Sequence, residues 1–419
     1  MPVLAGKTNA MNEHYDALEG RDAEQREREL FAALPAQLLH ARDNTPYFAN
    51  QLGTCDLRAI NSRAALAALP VTRKSDLHAL QAAHFPFGGL NATPAGRLAR
   101  LFVSPGPIYD PEGRVSDYWG MARALFAAGF RAGDVVHNTF SYHLTPAGSM
   151  LETGAHTLGC AVIPAGVGQT EMQIATIAAL KPIGYVGTPS FLKVLLEKAD
   201  ELKTDIASIK RALVSGEAFM PAMQSLLRVR GIDAYQAYAS ADLGLIAYES
   251  SARDGLIVAE NKIVEIVRPG TGDPVPEGDV GEVVVTTFNR DYPLVRFATG
   301  DLSAVLAGVS SCGRTNMRVK GWIGRADQTT KVRGMFVHPH QIADVVKRHP
   351  QVIKARLVVN HRDDGDTMQL LCENSSTINT ESIATTIRDV TKLCGDVELV
   401  APGSLPNDGK VIEDRRNYS

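Results

Sequence analysis

DVVHNTF (134–140), PAGSMLETGAHTL (146–158), CAVIPA (160–165), TEMQIATIAAL (170–180) and IGYVG (183–187) follow one another with only short breaks between them. The first, third and fifth are short apolar runs. The second and fourth are longer and carry their apolar residues at helical spacing. The order therefore reads strand, helix, strand, helix, strand. Working outward, the same alternation continues with a helix over 190–202, a strand over 211–214, a helix over 221–229 and a strand over 234–238. A helix over 118–130 precedes it. Pro189 and Pro221 open two of these helices, where a missing N–H is tolerated. Repeated βα units with turns marked by glycine and proline predict a largely parallel, layered α/β sheet.

Outside that run the pattern changes. On the N-terminal side, Leu30, Phe31, Leu34, Leu38 and Leu39 recur at helical spacing over 22–43, and Pro35 is expected to kink that helix. On the C-terminal side, 256–267, 281–288 and 294–307 read as strands with no helix between them. PGTGDPVPEGDVG (269–281) supplies the turns. An antiparallel β subdomain, open or barrel-like, is the expectation. After Arg325 comes a smaller unit: a helix over 339–348, strands over 355–360 and 367–373, a helix over 381–393 and a strand over 396–400. HRDDGD (361–366) reads as its hairpin turn. The predicted architecture is thus a large N-terminal layered α/β domain with a β subdomain, residues 1–325, and a small α+β lid, residues 326–419. No internal repeat or low-complexity tract interrupts it.

Composition bounds the function. The 419 residues are 45% hydrophobic and 21% charged, an ordinary globular balance. Forty-three Lys and Arg against 46 Asp and Glu leave a net charge of −3, which gives no reason to expect nucleic acid or an acidic membrane surface as partner. No apolar run is long enough to span a bilayer, and the first residues lack the apolar core of a secretion signal. Cys55, Cys160, Cys312, Cys372 and Cys394 show no C-x-x-C spacing and read as free thiols in the cytoplasm.

Five stretches put chemistry at strand ends, where parallel α/β sheets bind ligands. Ser215-Gly216-Glu217-Ala218 offers close backbone approach to a flat ligand. In Tyr238-Ala239-Ser240-Ala241-Asp242, a tyrosine could stack on a base and a carboxylate could hold magnesium. Asp301, in Thr299-Gly300-Asp301, could accept bonds from two ribose hydroxyls. Gly324-Arg325-Ala326-Asp327 stands at the domain junction, and Lys410 near the C-terminus could reach a phosphate. Each residue also has an ordinary structural reading: helix cap for Asp242, turn residue for Asp301, solvated tail charge for Lys410. The weight lies in their order.

That order resembles the phenylacetate–coenzyme A ligases, a branch of the AMP-forming adenylating enzymes, over nearly the whole chain. ALPVTRKSDL (68–77), GTPSFL (187–192), LVSGEA (213–218), YPLVRFATGDLSAV (292–305), CGRTNMRVKGWIGRADQTTKVRGMFVHPHQI (312–342) and GKVIEDRR (409–416) are similar to successive blocks of that family. The resemblance implies an ATP-dependent ligase that forms an acyl-adenylate from a small-molecule carboxylic acid and passes the acyl group to coenzyme A. It implies Lys410 as the adenylation lysine. Nucleotide contacts fall to Ser215, Gly216, Glu217, Ala218, Gln236, Tyr238, Ala239, Ser240, Asp301 and Arg325. Asp327 is the implied hinge, Asp242 the magnesium ligand, and ATP or AMP, Mg2+ and coenzyme A the bound species. A homodimer is suggested by the family alone. A carrier-protein thiol or an amine as acceptor, and a nucleotide-binding regulator without activity, are the alternatives. A plain NAD enzyme is excluded by the lack of G-x-G-x-x-G after the first strand.

The chain also departs from the family. Its phosphate loop, of the form SSGTTGKP, is replaced by Ser104-Pro-Gly-Pro-Ile-Tyr-Asp-Pro-Glu-Gly113, where Asp110 and Glu112 would repel a triphosphate. Only Cys312 stands where some relatives bear zinc ligands, so no zinc is expected. The acyl pocket is expected at Tyr142, His143 and Thr145. There a histidine replaces glycine and a threonine an aromatic, which fits an acid smaller or more hydroxylated than phenylacetate. The alternative has His143 pointing away to satisfy a buried backbone group.

Overall fold

The computed structural model describes residues 14–104, 107–326, 330–333, 335–337, 339–362, 365–374, 379–406 and 410–416. Asp327 and Gly409 fall outside them. A 22-residue helix, Ala23–Asn44, opens the fold and continues through Pro35. Asp22 caps it, accepting the Gln25 N–H on its side chain. Leu30, Phe31, Leu34 and Leu38 lie on one face and are buried in the first core, against Ile263, Val283 and Phe297.

The strands follow in chain order. Strand β1 is Thr72–Arg73, β2 Arg100–Ser104, β3 Ile108–Glu112, β4 Val135–Asn138, β5 Ala161–Pro164, β6 Gly184–Gly187, β7 Arg211–Val214 and β8 Asp233–Ser240. Then come β9 Gly244–Glu249, β10 Leu256–Val258, β11 Lys262–Val267, β12 Gly281–Thr287, β13 Phe297–Ser303, β14 Val305–Leu306, β15 Arg318–Val319 and β16 Gly324–Arg325. The main sheet runs β14-β15-β10-β9-β8-β7-β6-β4-β5. Strands β5, β4, β6, β7 and β8 are parallel, as the βα alternation requires, and the rest of the sheet is antiparallel. Helices Ala147–Thr157, Thr170–Leu180, Pro189–Leu202 and Pro221–Val229 are the crossovers.

A second sheet runs β1-β13-β12-β11, with β16 paired to β13. It is open, not a barrel. The stretch expected as one strand over 256–267 is two: β10 joins the main sheet and β11 the second. Between them Glu260 is buried and held by Arg21 and Arg26 from the N-terminal segment. The expected strand over 294–307 likewise divides into β13 and β14. Strands β2 and β3 pair with each other as a separate hairpin.

The C-terminal unit holds β17 Thr330–Val332, β18 Met335–Val337, helix Pro339–Arg348, β19 Val352–Arg362, β20 Gly365–Asn374, helix Thr380–Thr391, β21 Asp396–Val400 and β22 Ile412–Asp414. Its sheet runs β21-β20-β19-β22. Arg362 pairs with Gly365; residues 363–364 of the expected hairpin turn lie outside the described residues. This unit has its own core of Val345, Leu357, Leu370, Ile383 and Ile387. Among the described residues no helix is long and apolar enough to cross a membrane.

Candidate active site

Strand order assembles the site. The carboxyl ends of β4, β7 and β8 face one edge of the main sheet, and β13 and β16 of the second sheet come against β8 there. The link is Tyr238, on β8. Its hydroxyl donates to Asp301 Oδ2 at 2.9 Å and approaches Thr299 Oγ1 at 3.2 Å. Asp301 lies on β13 opposite Arg325 on β16. Asp301 Oδ1 accepts from Arg325 Nη1 at 3.1 Å and from Trp322 Nε1 at 3.2 Å. Burial first, and then the Asp301 charge, hold the Tyr238 phenol far above its ordinary range, so it stays a donor. Gly300 has φ +77°, and a Cβ there would stand 2.8 Å from Arg325 Nη2. Glycine is what lets the guanidinium lie across the strand.

The other expected nucleotide residues line the same edge. Ser215 Oγ donates to the Ala237 carbonyl at 2.7 Å, tying the end of β7 to β8. Gly216 has φ +84°, with Thr188 and Phe140 beneath it. Glu217 accepts the Ser190 N–H at 2.6 Å, at the N-terminus of helix Pro189–Leu202. Gly216, Glu217 and Ala218 are exposed, and Gln236, Tyr238, Ala239 and Ser240 half-buried.

Asp242 sits in the turn between β8 and β9, where Ser240 pairs with Gly244. Its carboxylate is buried. Oδ2 accepts from Lys74 Nζ at 2.6 Å, and Oδ1 has no hydrogen-bond partner. Lys74 follows β1 directly, and β1 runs parallel to β13, with Arg73 opposite Ala298. Burial works against the ammonium, but Asp242 and then Asp110 and Asp301 hold its pKa above the ordinary value. Asp110, on β3, is fully buried, and neither of its oxygens has a hydrogen-bond partner. Burial, followed by the Asp242 charge, pushes its carboxyl up to about 8, so it is protonated at neutral pH. The Tyr292 hydroxyl, also buried and unpartnered, lies within reach of both carboxyls' charge.

Glu112 is turned elsewhere. It pairs with Arg100 at 2.8 Å and accepts from Ser149 at 2.7 Å. The two acidic residues of the 104–113 stretch therefore do not present a pair of free negative charges to a ligand: one is neutral and the other compensated. Neither Lys74 nor Trp322 stands out in the sequence as a site residue. Lys74 lay in the open within ALPVTRKSDL, but its partner is reached only through the β1–β13 pairing.

At the expected acyl pocket, Asn138 Nδ2 donates to the Tyr142 hydroxyl at 2.8 Å and to the Gly148 carbonyl at 2.9 Å. Gly148 must be glycine: a Cβ would meet Ser141 O at 2.8 Å and the Tyr142 ring at 2.9 Å. Thr145 Oγ1 reaches the Ser141 carbonyl at 3.3 Å. His143 is exposed. Lys410 precedes β22 in the C-terminal sheet and is half-buried. Among the described residues no three His, Cys, Asp or Glu side chains converge on one point.

Residues 114–289, which include helix and strand ends at the site, match the family described as AMP-binding enzyme. The phenylacetate–coenzyme A ligase of Aromatoleum evansii is 31% identical over 341 residues, 77% of this chain and 76% of that protein. That of Thermus thermophilus is 32% identical, over 71% of this chain and 69% of that protein. That of Escherichia coli K12 is 29% identical over 91% and 92%. A crystal structure of 2-hydroxyisobutyryl-CoA ligase, with 2-HIB-AMP and CoA, superposes with a TM-score of 0.71 at 24% identity, covering 96% of this chain and 92% of that one. It bears out the α/β fold. At this identity and coverage, the chain belongs to the phenylacetate–coenzyme A ligase family of AMP-binding enzymes.

Proposed function

We propose that this protein is an ATP-dependent, AMP-forming acyl-CoA ligase acting on a small-molecule carboxylic acid. The observation that carries the reading is the Tyr238–Asp301–Arg325 junction, where two sheets meet around one carboxylate suited to a ribose diol. In the first half-reaction a carboxylate oxygen of the acid attacks the α-phosphorus of ATP and expels pyrophosphate. Asp301 holds the ribose, Tyr238 and Gly216 border the base, and the Lys410 ammonium meets charge developing on the phosphoryl oxygens. In the second half-reaction the coenzyme A thiol, losing its proton, attacks the acyl carbon, and AMP leaves with the electron pair of the broken C–O bond.

Magnesium, when bound, would neutralise phosphoryl charge. Asp242 fits it through Oδ1, the buried oxygen that nothing else uses, leaving other ligand positions to water and phosphate. The division at 1–325 and 326–419 fits a cap that carries Lys410 in for adenylation and turns about Asp327 to admit the thiol. The five free thiols suit a reducing cytoplasm, and a homodimer is proposed on the family's account.

For the acid, Tyr142, Thr145 and the neighbouring His143 make a more polar wall than an aryl pocket needs. The reading is an acid smaller or more hydroxylated than phenylacetate. The test is pyrophosphate release from ATP with a panel of acids that includes phenylacetate and a short 2-hydroxy acid. Acid-dependent release supports the ligase. A higher kcat/KM for phenylacetate than for the hydroxy acid would overturn the substrate assignment and leave the ligase standing.

A further inference from the structure

Trp322 is one of two tryptophans in the chain, and it is 51% exposed. A single exposed aromatic is ordinary on a protein surface. What sets this one apart is how its main chain is held. It lies in the segment between β15 and β16, and that segment is tied to the end of β13 on both sides of the ring. The Lys320 N–H donates to the Ala304 carbonyl at 2.9 Å, and the Ile323 N–H to the Leu302 carbonyl at 3.0 Å. Ser303 Oγ donates to the Gly321 carbonyl at 2.7 Å. From that fixed backbone the indole N–H reaches Asp301 Oδ1 at 3.2 Å. An indole nitrogen only donates and a carboxylate oxygen only accepts, so the contact has one polarity. Donors from three elements thus meet on one carboxylate: Tyr238 on Oδ2, Arg325 and Trp322 on Oδ1. A carboxylate left to itself rotates about its last bond, whereas recognition of two adjacent hydroxyls needs both oxygens at a set angle. Arg325 brings a long side chain that is 44% exposed. Trp322 brings a rigid ring with two torsions on a pinned segment, which costs less order to hold.

We propose that Trp322 is a positioning residue of the ribose site: its indole N–H sets the orientation of the Asp301 carboxylate, and its exposed ring is the wall that a bound ribose covers. Selectivity for a ribose over a sugar without hydroxyls then depends on a side chain that lies outside every strand-end motif of the sequence. The proposal rests on the nucleotide-binding reading above.

Two measurements on the full chain test it. The first is calorimetry with AMP and with 2′,3′-dideoxy-AMP, which lacks both hydroxyls. The wild type should bind AMP tighter by about ten- to a hundredfold, the range of hydrogen bonds to a charged acceptor. Trp322→Phe keeps an aromatic wall and removes the N–H; it should weaken AMP by about tenfold and leave the dideoxy nucleotide within about twofold. The second needs no variant. Trp119 is 3% exposed and Trp322 51%, so acrylamide quenching of tryptophan fluorescence reads Trp322. Saturating AMP should protect the wild type from acrylamide. Equal losses for the two nucleotides in Trp322→Phe, a selectivity kept at the wild-type ratio, or quenching that AMP leaves unchanged each overturn the proposal while the nucleotide reading stands. A wild-type protein that binds neither nucleotide overturns that reading as well.

Discussion

Replacing Asp110 by asparagine tests the electrostatics of the cleft without touching its shape. The Asp110 carboxyl lies within electrostatic reach of Asp242, Lys74, Tyr292 and Tyr118. In the unfolded chain it titrates near 3.8; in the fold burial, and then the Asp242 charge, raise it to about 8. An acid whose pKa rises on folding binds more protons in the native state throughout that interval. Stability contributed by this group is therefore greatest below the unfolded value and is lost as pH rises toward the folded one. The slope for one group is at most about 1.4 kcal/mol per pH unit, so from pH 5 to pH 7 the wild type should lose up to about 2.7 kcal/mol that the asparagine variant keeps. Other titrating groups, Asp117 among them, are common to both proteins and cancel in the comparison. Urea unfolding followed by tryptophan fluorescence, with Trp119 buried against Gly244 of β9, reads the difference. The variant should gain on the wild type steadily as pH rises. Parallel stability profiles would refute the assignment of a neutral, buried acid at position 110.

Lys410→Ala should abolish adenylation and spare thioester formation from preformed acyl-adenylate; equal loss of both half-reactions would contradict its role. Arg296 is buried, pairs with both Glu265 oxygens at 3.0 Å, and donates to the carbonyls of Ala67, Leu69 and Gly272. Arg296→Met should cost about 3–5 kcal/mol in unfolding free energy by stranding Glu265, and the double variant R296M/E265M should recover part of it. Gly300→Ala forces a side chain into φ +77° and against Arg325. It should cost about 1–2 kcal/mol of stability, read in the melting temperature, and weaken AMP binding as Arg325 leaves Asp301; unchanged AMP affinity would count against the Arg325 contact.

The βα alternation from β4 to β8 was legible because each element is short, local and punctuated by glycine or proline. What escaped was non-local. Strand β9, GLIAYE, is buried along its whole length and follows Asp242 so closely that it reads as part of a ligand loop. Its turn depends on Gly244 at φ +68°, where a Cβ would stand 2.5 Å from the Trp119 carbonyl. The run 256–267 looks like one strand because apolar continuity carries no signal of a change of sheet. Its break depends on arginines more than 230 positions away in the chain, Arg21 and Arg26 on Glu260. Of the site, Tyr238, Asp301, Arg325 and Asp242 were visible as strand-end polar residues in family order. Lys74 was not, because a two-residue strand pairing across the chain places it.

The most direct test is to incubate the protein with ATP, Mg2+, coenzyme A and a panel of small carboxylic acids, and to follow AMP and acyl-CoA together by mass spectrometry. Acid-dependent AMP formation, matched mole for mole by acyl-CoA, is the expected result, together with its loss in Asp301→Ala. AMP formation independent of any acid, or no acyl-CoA with any acid while Asp301→Ala behaves as wild type, would contradict it.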